Sequence, residues 1–372
     1  MAYNSGEVMH SKIISTLAIV PTCILACAAS LAIAQIPDRP GWRLSFHDEF
    51  DGTSLNTTNW VANDRENQNN NEKQYYRHEQ VTVADGNLNI TAINVPRGNK
   101  QYQSGIVTSQ IRYGVGRYEA RIDLPTTQGM WPAFWLNPNG DPPWPTGGEI
   151  DIMENRGSQP FLTSSAYHWQ TNPGPCCSQH QYVFHEYTAS EGGSPVNFHA
   201  GFHTYAVEWE ETQLRFYVDD NLHFTVTENP ARPIFEVTKN IILNLAIGGD
   251  FGGDPNGSTV WPQTMLVDYV RVWQRDTRTP GDYNSDGMVD ASDYTIWRNS
   301  QGQSGIGLPA DGSGNGSVGP EDYQLWRDSY GGPLPGEGAS SENVPEPTTM
   351  LSMSTGLVLL FAPRFWCLRS NR

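Results

Sequence analysis

From Trp42 to Trp273 the chain is written in short runs that alternate apolar and polar residues, broken by Gly, Asn and Asp. This pattern constrains the fold more than any other feature. VTVADGNLNITA (81–92) alternates on both sides of Asp85-Gly86, which predicts a hairpin. GRYEARIDLP (116–125), TYAVEWEETQLRFYVDDNLHFTV (204–226) and MLVDYVRVWQ (265–274) continue in the same style, and long amphipathic helical stretches are absent from this region. Many short strands without helices predict an all-β sandwich of two antiparallel sheets. Composition agrees: 36 Gly, 26 Pro, 12 Trp and 16 Tyr suit turns and aromatic binding surfaces. A formal net charge of −17 argues against a nucleic-acid partner, whose phosphates would be repelled, and leaves a neutral polymer open.

Within this region GGEIDIMENRG (147–157) places Glu149, Asp151 and Glu154 on one predicted strand. Strand side chains alternate, so Glu149 and Asp151 share a face while Glu154 falls out of phase. One reading is that the crowded acids are used together at a single site, since like-charge crowding on a strand is otherwise costly. The other reading is an exposed polar face or a calcium site.

The spacing resembles the E-x-D-x-x-E motif of family sixteen of the glycoside hydrolases, and the resemblance implies a β-bulge at Ile152-Met153 that resets the alternation and returns Glu154 to the face of Glu149 and Asp151. The resemblance extends over FHDEFDGTSLNTTNW (46–60), NNEKQYY (70–76), SGIVTSQIRYGVGRYEARIDLP (104–125), GMWPAFWLNP (129–138), ILNLAIGGDFGG and VDYVRVWQ. It implies a β-jelly roll with a concave cleft. It makes Glu149 the nucleophile, Glu154 the general acid/base and Asp151 the residue between them that hydrogen-bonds the nucleophile. Retaining enzymes need their two carboxyls about 5–5.5 Å apart. Five extended steps would separate the backbones by about 16 Å, so the bulge and sheet curvature must close the gap.

WPAFWL together with GGEIDIMEN looks like the laminarinase branch, which acts on β-1,3-glucan. Trp131 and Trp135 lie four apart, hence on one strand face. They are candidate substrate-binding residues with His168 and Trp169 of SSAYHWQ; Trp135 is placed in the cleft and Trp131 left open between cleft and core. His168 could bind sugar or the acid/base, or be structural. The resemblance leaves two further readings: the same mechanism on mixed-linkage β-glucan or an algal galactan, and a non-catalytic β-glucan-binding protein. Retention of both glutamates speaks against the last. Relatives often hold one structural calcium, for which Asp268 is the best side-chain candidate and Glu49 a weaker one.

Beyond RDTRTPGD (275–282) the chain repeats itself. Aligning Asp282 with Asp311 also aligns Asp293-Tyr294 with Asp322-Tyr323 and Trp297-Arg298 with Trp326-Arg327, an internal duplication. DYNSDGMVDASD offers oxygen ligands for calcium from Asp282, Asn284, Asp286, the Met288 carbonyl, Asp290 and Asp293, with a glycine at the turn. The second loop keeps Asp311, Ser313, Asn315, the Ser317 carbonyl and Asp322 but has Gly319 at the ninth position, so it should bind more weakly. The pair resembles a type I dockerin, which implies a small helical calcium-loop module over 280–332 and a cohesin as partner; a role as spacer or stabiliser, or as the main scaffold-docking element, stays open.

The ends read as addresses. Lys12, the apolar run Ile13–Ala34 and the small residues before Gln35 suggest a signal peptide over 1–34, leaving the catalytic domain at 35–275. An uncleaved membrane helix and a loose lipoprotein-like site at Cys27 are the alternatives. Val344-Pro345-Glu346-Pro347, the apolar Met350–Ala362 and the terminal arginines within 333–372 resemble a PEP-CTERM sorting tail. That tail implies export in a Gram-negative-type envelope and transient contact with membrane and sorting machinery, or a retained anchor. Cys176-Cys177 could form a strained vicinal disulfide or remain thiols.

Overall fold

A computed structural model describes residues 36–67, 69–140, 142–171 and 179–331. The signal segment, Cys176-Cys177 and the linker and tail expected over 333–372 lie outside these residues. No helix among the described residues is long and apolar enough to cross a membrane.

Two antiparallel sheets form the sandwich. The first runs in the order Asn221–Thr227, Gln213–Val218, Phe202–Trp209, Gly116–Asp123, Gln263–Arg275, Asn87–Ala92, Val81–Ala84, with Trp42–Asp48 also pairing to Gln263–Arg275. The second runs Gln181–Tyr187, Thr163–Trp169, Glu149–Glu154, Met130–Asn137, Asn240–Ile247, Ile106–Ser109, Trp60–Ala62. The alternation read from the sequence is what packs them: Leu88 and Ile90 from one sheet meet Phe134, Leu136 and Leu243 from the other in a single core. Asp85 and Gly86 both take positive φ (54° and 73°), the conformation a tight hairpin needs.

The duplicated segment folds as two helices, Ala291–Ser300 and Pro320–Ser329, around a small core of Tyr283, Val289, Ala310, Val318 and Trp326. Its halves are cross-linked reciprocally. Trp297 Nε1 of the first helix donates to the Gly319 carbonyl of the second loop (2.8 Å), and Trp326 Nε1 of the second helix donates to the Asp290 carbonyl of the first loop (2.8 Å).

The second loop also docks on the sandwich. Arg39 N donates to the Ser313 carbonyl (2.6 Å), Trp273 Nε1 to the Gly314 carbonyl (3.1 Å) and Asn315 Nδ2 to Asp38 Oδ1 (2.8 Å). Gly314 has φ +74°, and a Cβ there would collide with the Trp42 carbonyl oxygen, so the contact requires glycine. In the first loop, by contrast, Met288 is 55 % exposed.

Candidate active site

The acidic strand carries the expected bulge. Against Thr163–Trp169, Asp151 pairs with Ala166 and Glu154 with Ser164: three steps on one strand meet two on its neighbour. Against Met130–Asn137, Met153 pairs with Phe134 and Asp151 with Trp135, so Ile152 is the extra residue. Ile152 and Met153 both turn into the core. Burying two consecutive apolar side chains stabilises the bulge, and the bulge brings Glu154 back to the face of Glu149 and Asp151.

The register then lays out the concave face in rows. Trp135, Asp151, Ala166 and Phe184 form one; Ala133, Glu154, Ser164 and Glu186 another; Glu149, His168 and Tyr182 a third. Each acid has a dedicated neighbour. Asn137 Nδ2 donates to Glu149 Oε2 (2.8 Å), and Trp131 Nε1 donates to Glu154 Oε1 (2.8 Å). His168 Nε2 stands 3.0 Å from Asp151 Oδ2, an oxygen that has no aligned hydrogen bond. Carboxylate oxygens of Glu149 and Asp151 lie within 4.8 Å of each other. Burial pushes all three carboxyls up to about 8, and the charge of Asp151 adds to the rise at Glu149 and Glu154. Three buried anions this close cannot all be ionised together, so the site holds protons that one member can donate.

Trp131 and Trp135 both face the cleft. Trp135 Nε1 donates to Asn244 Oδ1 (2.7 Å), whose amide in turn donates to the Tyr76 hydroxyl (3.1 Å), fixing the ring plane. Trp131 packs against Phe251 at 5.0 Å between ring centroids, and the Arg156 guanidinium caps the same Phe251 at 3.9 Å.

One expectation needs correction. Trp169 is not a cleft residue: it is 6 % exposed, stacks on Tyr167 at 5.5 Å inside the core and donates to the Ala231 carbonyl (2.9 Å). One step along a strand changes the face, and His168 holds the cleft side. His168 contacts Asp151 and His180. Asp268 pairs with Arg121 (2.6 Å), and Glu49 makes a two-pronged contact with Arg271 (3.0 and 2.8 Å).

Sequence reading missed Asn137, Asn244, Tyr182 and Phe184. Asn137 continues the Trp131–Trp135 alternation by two residues and was findable that way. The others reach the cleft only through pairing across strands.

In the duplicated module the proposed ligands are hydrogen-bonded to the backbone of their own loops. Asp293 accepts from the backbone N–H of Tyr283, Asn284 and Asp290, and Asp282 from those of Asp286 and Gly287. Asp286 accepts from Met288 N, and Asp290 caps the following helix. In the second loop Asp311 accepts from Gly314, Asn315 and Gly316, Asp322 from Ser313 and Gly319, and Asn315 from Ser317 N. Asp311 and Asp322 are fully buried with no cationic side chain against them, and burial raises Asp322 to about 6. An all-oxygen donor set of this kind fits a hard divalent cation.

Residues 43–275 match the family model described as β-porphyranase A-D, GH16 domain. A glucan endo-1,3-β-glucosidase A1 of Niallia circulans is 35% identical over 66% of this chain; the chain spans 40% of that protein's length. A glucan endo-1,3-β-glucosidase of Cryptopygus antarcticus is 31% identical over 62% of the chain and 92% of its own length. The X-ray structure of an endo-β-1,3-glucanase from Pyrococcus furiosus superimposes with a TM-score of 0.58 and 31% identity, covering 64% of this chain and 97% of that one.

Proposed function

The chain belongs to family 16 of the glycoside hydrolases, and we propose that it is an exported retaining endo-hydrolase of β-1,3-glucan. The observation that carries this reading is the bulge: it returns Glu154 to the face of Glu149 and Asp151, beside Trp131 and Trp135. In this reading Glu149 attacks the anomeric carbon while Glu154 protonates the departing glycosidic oxygen. Once Glu149 is a neutral ester, Glu154 takes a proton from water and the ester is hydrolysed. The Asn137 amide favours the ionised form of Glu149, as a nucleophile requires. The Trp131 indole holds one oxygen of Glu154 and so aims the other. Flat indoles stack on the C–H faces of sugar rings.

The family model's description favours a second reading, hydrolysis of a galactan. A sulfated galactan asks for cations in the cleft. Among the described residues of the cleft rows the nearest guanidinium is Arg156, and Glu186 pairs with it at 2.8 Å. That supports the neutral glucan. Product analysis after incubating the full chain with laminarin, lichenan, agarose, carrageenan and porphyran separates the readings: reducing ends from laminarin alone are expected, and turnover of porphyran alone overturns the proposal. The binding-protein reading predicts no hydrolysis of any of them.

The duplicated module is proposed to be dockerin-like, with Asp282, Asn284, Asp286, Met288, Asp290 and Asp293 holding one calcium and Asp311, Ser313, Asn315, Ser317 and Asp322 a weaker second. Calcium there would neutralise buried carboxylates and has no part in hydrolysis. A cohesin-type partner, the signal peptide and the sorting tail belong to the same proposal of an exported, anchored enzyme.

A further inference from the structure

We propose that His180 is a positioning residue: through His168 it holds the donor that Asp151 needs, and so sets the electrostatics of the acid triad. The inference rests on the hydrolase reading above. His180 Nε2 lies 2.8 Å from His168 Nδ1, and His168 Nε2 lies 3.0 Å from Asp151 Oδ2. These contacts form a chain from the rim of the cleft to the middle acid. The ring planes are held nearly parallel: His168 and His180 lie at 5.0 Å and 12°, Tyr182 is near-parallel to both, and Trp144 leans on His180 at 4.7 Å.

The chemistry of imidazole decides what the chain does. A neutral imidazole carries one N–H and one lone pair. Among the described residues Asp151 Oδ2 is a buried acceptor without another donor, so when Asp151 is ionised His168 serves it by presenting Nε2–H. The Nδ1 of a neutral His168 is then a lone pair, and His180 must donate its Nε2–H there. Without His180, neutral His168 can move its proton to Nδ1, and a nitrogen lone pair would face the carboxylate. If His168 becomes an imidazolium, its Nδ1–H needs an acceptor, and His180 supplies one by carrying its own proton on Nδ1. His180 can therefore partner His168 Nδ1 in either charge state, and that contact holds the ring in the plane from which Nε2 faces Asp151. Burial and the neighbouring His168 charge hold His180 below the ordinary imidazole range, consistent with a neutral ring. The charged and titratable groups facing the pair are Asp151, Glu149 and Glu154 on the acidic strand and Tyr182 on the edge strand.

Three full-chain variants separate a hydrogen-bonding role from packing. His180→Ala removes both ring and hydrogen bond, His180→Phe keeps only the ring, and His180→Gln keeps only a side-chain amide that can donate or accept. On laminarin His180→Ala should lower kcat about tenfold with KM within about twofold, because orientation rather than binding is lost. His180→Gln should recover to within about threefold of wild type, and His180→Phe should stay with the alanine variant. Recovery by Phe and not by Gln overturns the proposal, as does an unchanged kcat in His180→Ala. Long-range ¹⁵N–¹H spectra of the imidazole-labelled wild type give an independent readout: Nε2–H at His168 is expected, and Nδ1–H with a bare Nε2 overturns the proposal. A wild type inactive on every β-glucan would refute the substrate reading, and the tautomer measurement would still decide this one.

Discussion

Two groups of acidic side chains in this molecule are equipped oppositely. In the duplicated module each buried aspartate is caged by backbone N–H groups; Asp293 and Asp311 each accept three. In the cleft, among the described residues, Glu149 has two neutral side-chain donors, Asn137 and Trp144, Glu154 has Trp131, and Asp151 has only the misaligned His168. Saturated acids are fixed structural elements. Under-solvated acids store charge repulsion that a passing proton or an ester can relieve. The same residue types thus make scaffold in one region and chemistry in the other, and the supply of donors decides which.

The largest expected effect tests that division directly. Glu149→Gln should reduce turnover of laminarin by at least about 10³-fold while laminarin binding survives. Reducing-end release near the wild-type rate would break the assignment. Next in size, Asp293→Ala orphans three backbone donors at about 1–3 kcal/mol each and should unfold the module, as should a chelator. Tryptophan fluorescence of Trp297 and Trp326 against temperature reads this out, and laminarin turnover should persist. A module melt unmoved by either treatment would count against the calcium loops.

Gly314→Ala should cost about 1–3 kcal/mol by forcing a Cβ into positive φ and into Trp42. The loss should appear in the docking of module to sandwich, seen as separation of one calorimetric transition into two; an unchanged single transition would refute the required glycine. The smallest effect concerns pH. Carboxyls whose folded pKa is raised from about 4.5 to about 8 bind more protons folded than unfolded, so the stability they contribute is full below the lower value and is lost as pH rises through the upper. Glu154→Gln removes that loss. Its Tm should exceed the wild-type value at pH 8 and match it at pH 4. An equal offset at both pH values would show that burial does not raise Glu154.

The sandwich and the acid triad were legible because both announce themselves in phase. Alternation gives the faces of Val81–Ala84 and Asn87–Ala92; the carboxylate at 154 breaks phase, and the resemblance of its motif implies the bulge. Thr163–Trp169 was not legible, since it is buried along nearly its whole length and alternation has no contrast there. That is why Trp169 was misplaced beside His168. The partners Asn244, Phe184 and His180 are products of register and of loop path, which local patterns do not encode. In the module, ligand spacing reveals the loops, whereas the docking depends on Asp38 and Arg39, far away in the chain.

The reciprocal indole contacts between the duplicated halves carry a consequence for cation uptake. Each tryptophan is anchored to the ninth position of the opposite loop. Ordering either loop therefore assembles a wall of the other, and a titration should show a single steep sigmoid with a Hill slope above one, although the two loops differ in ligand count.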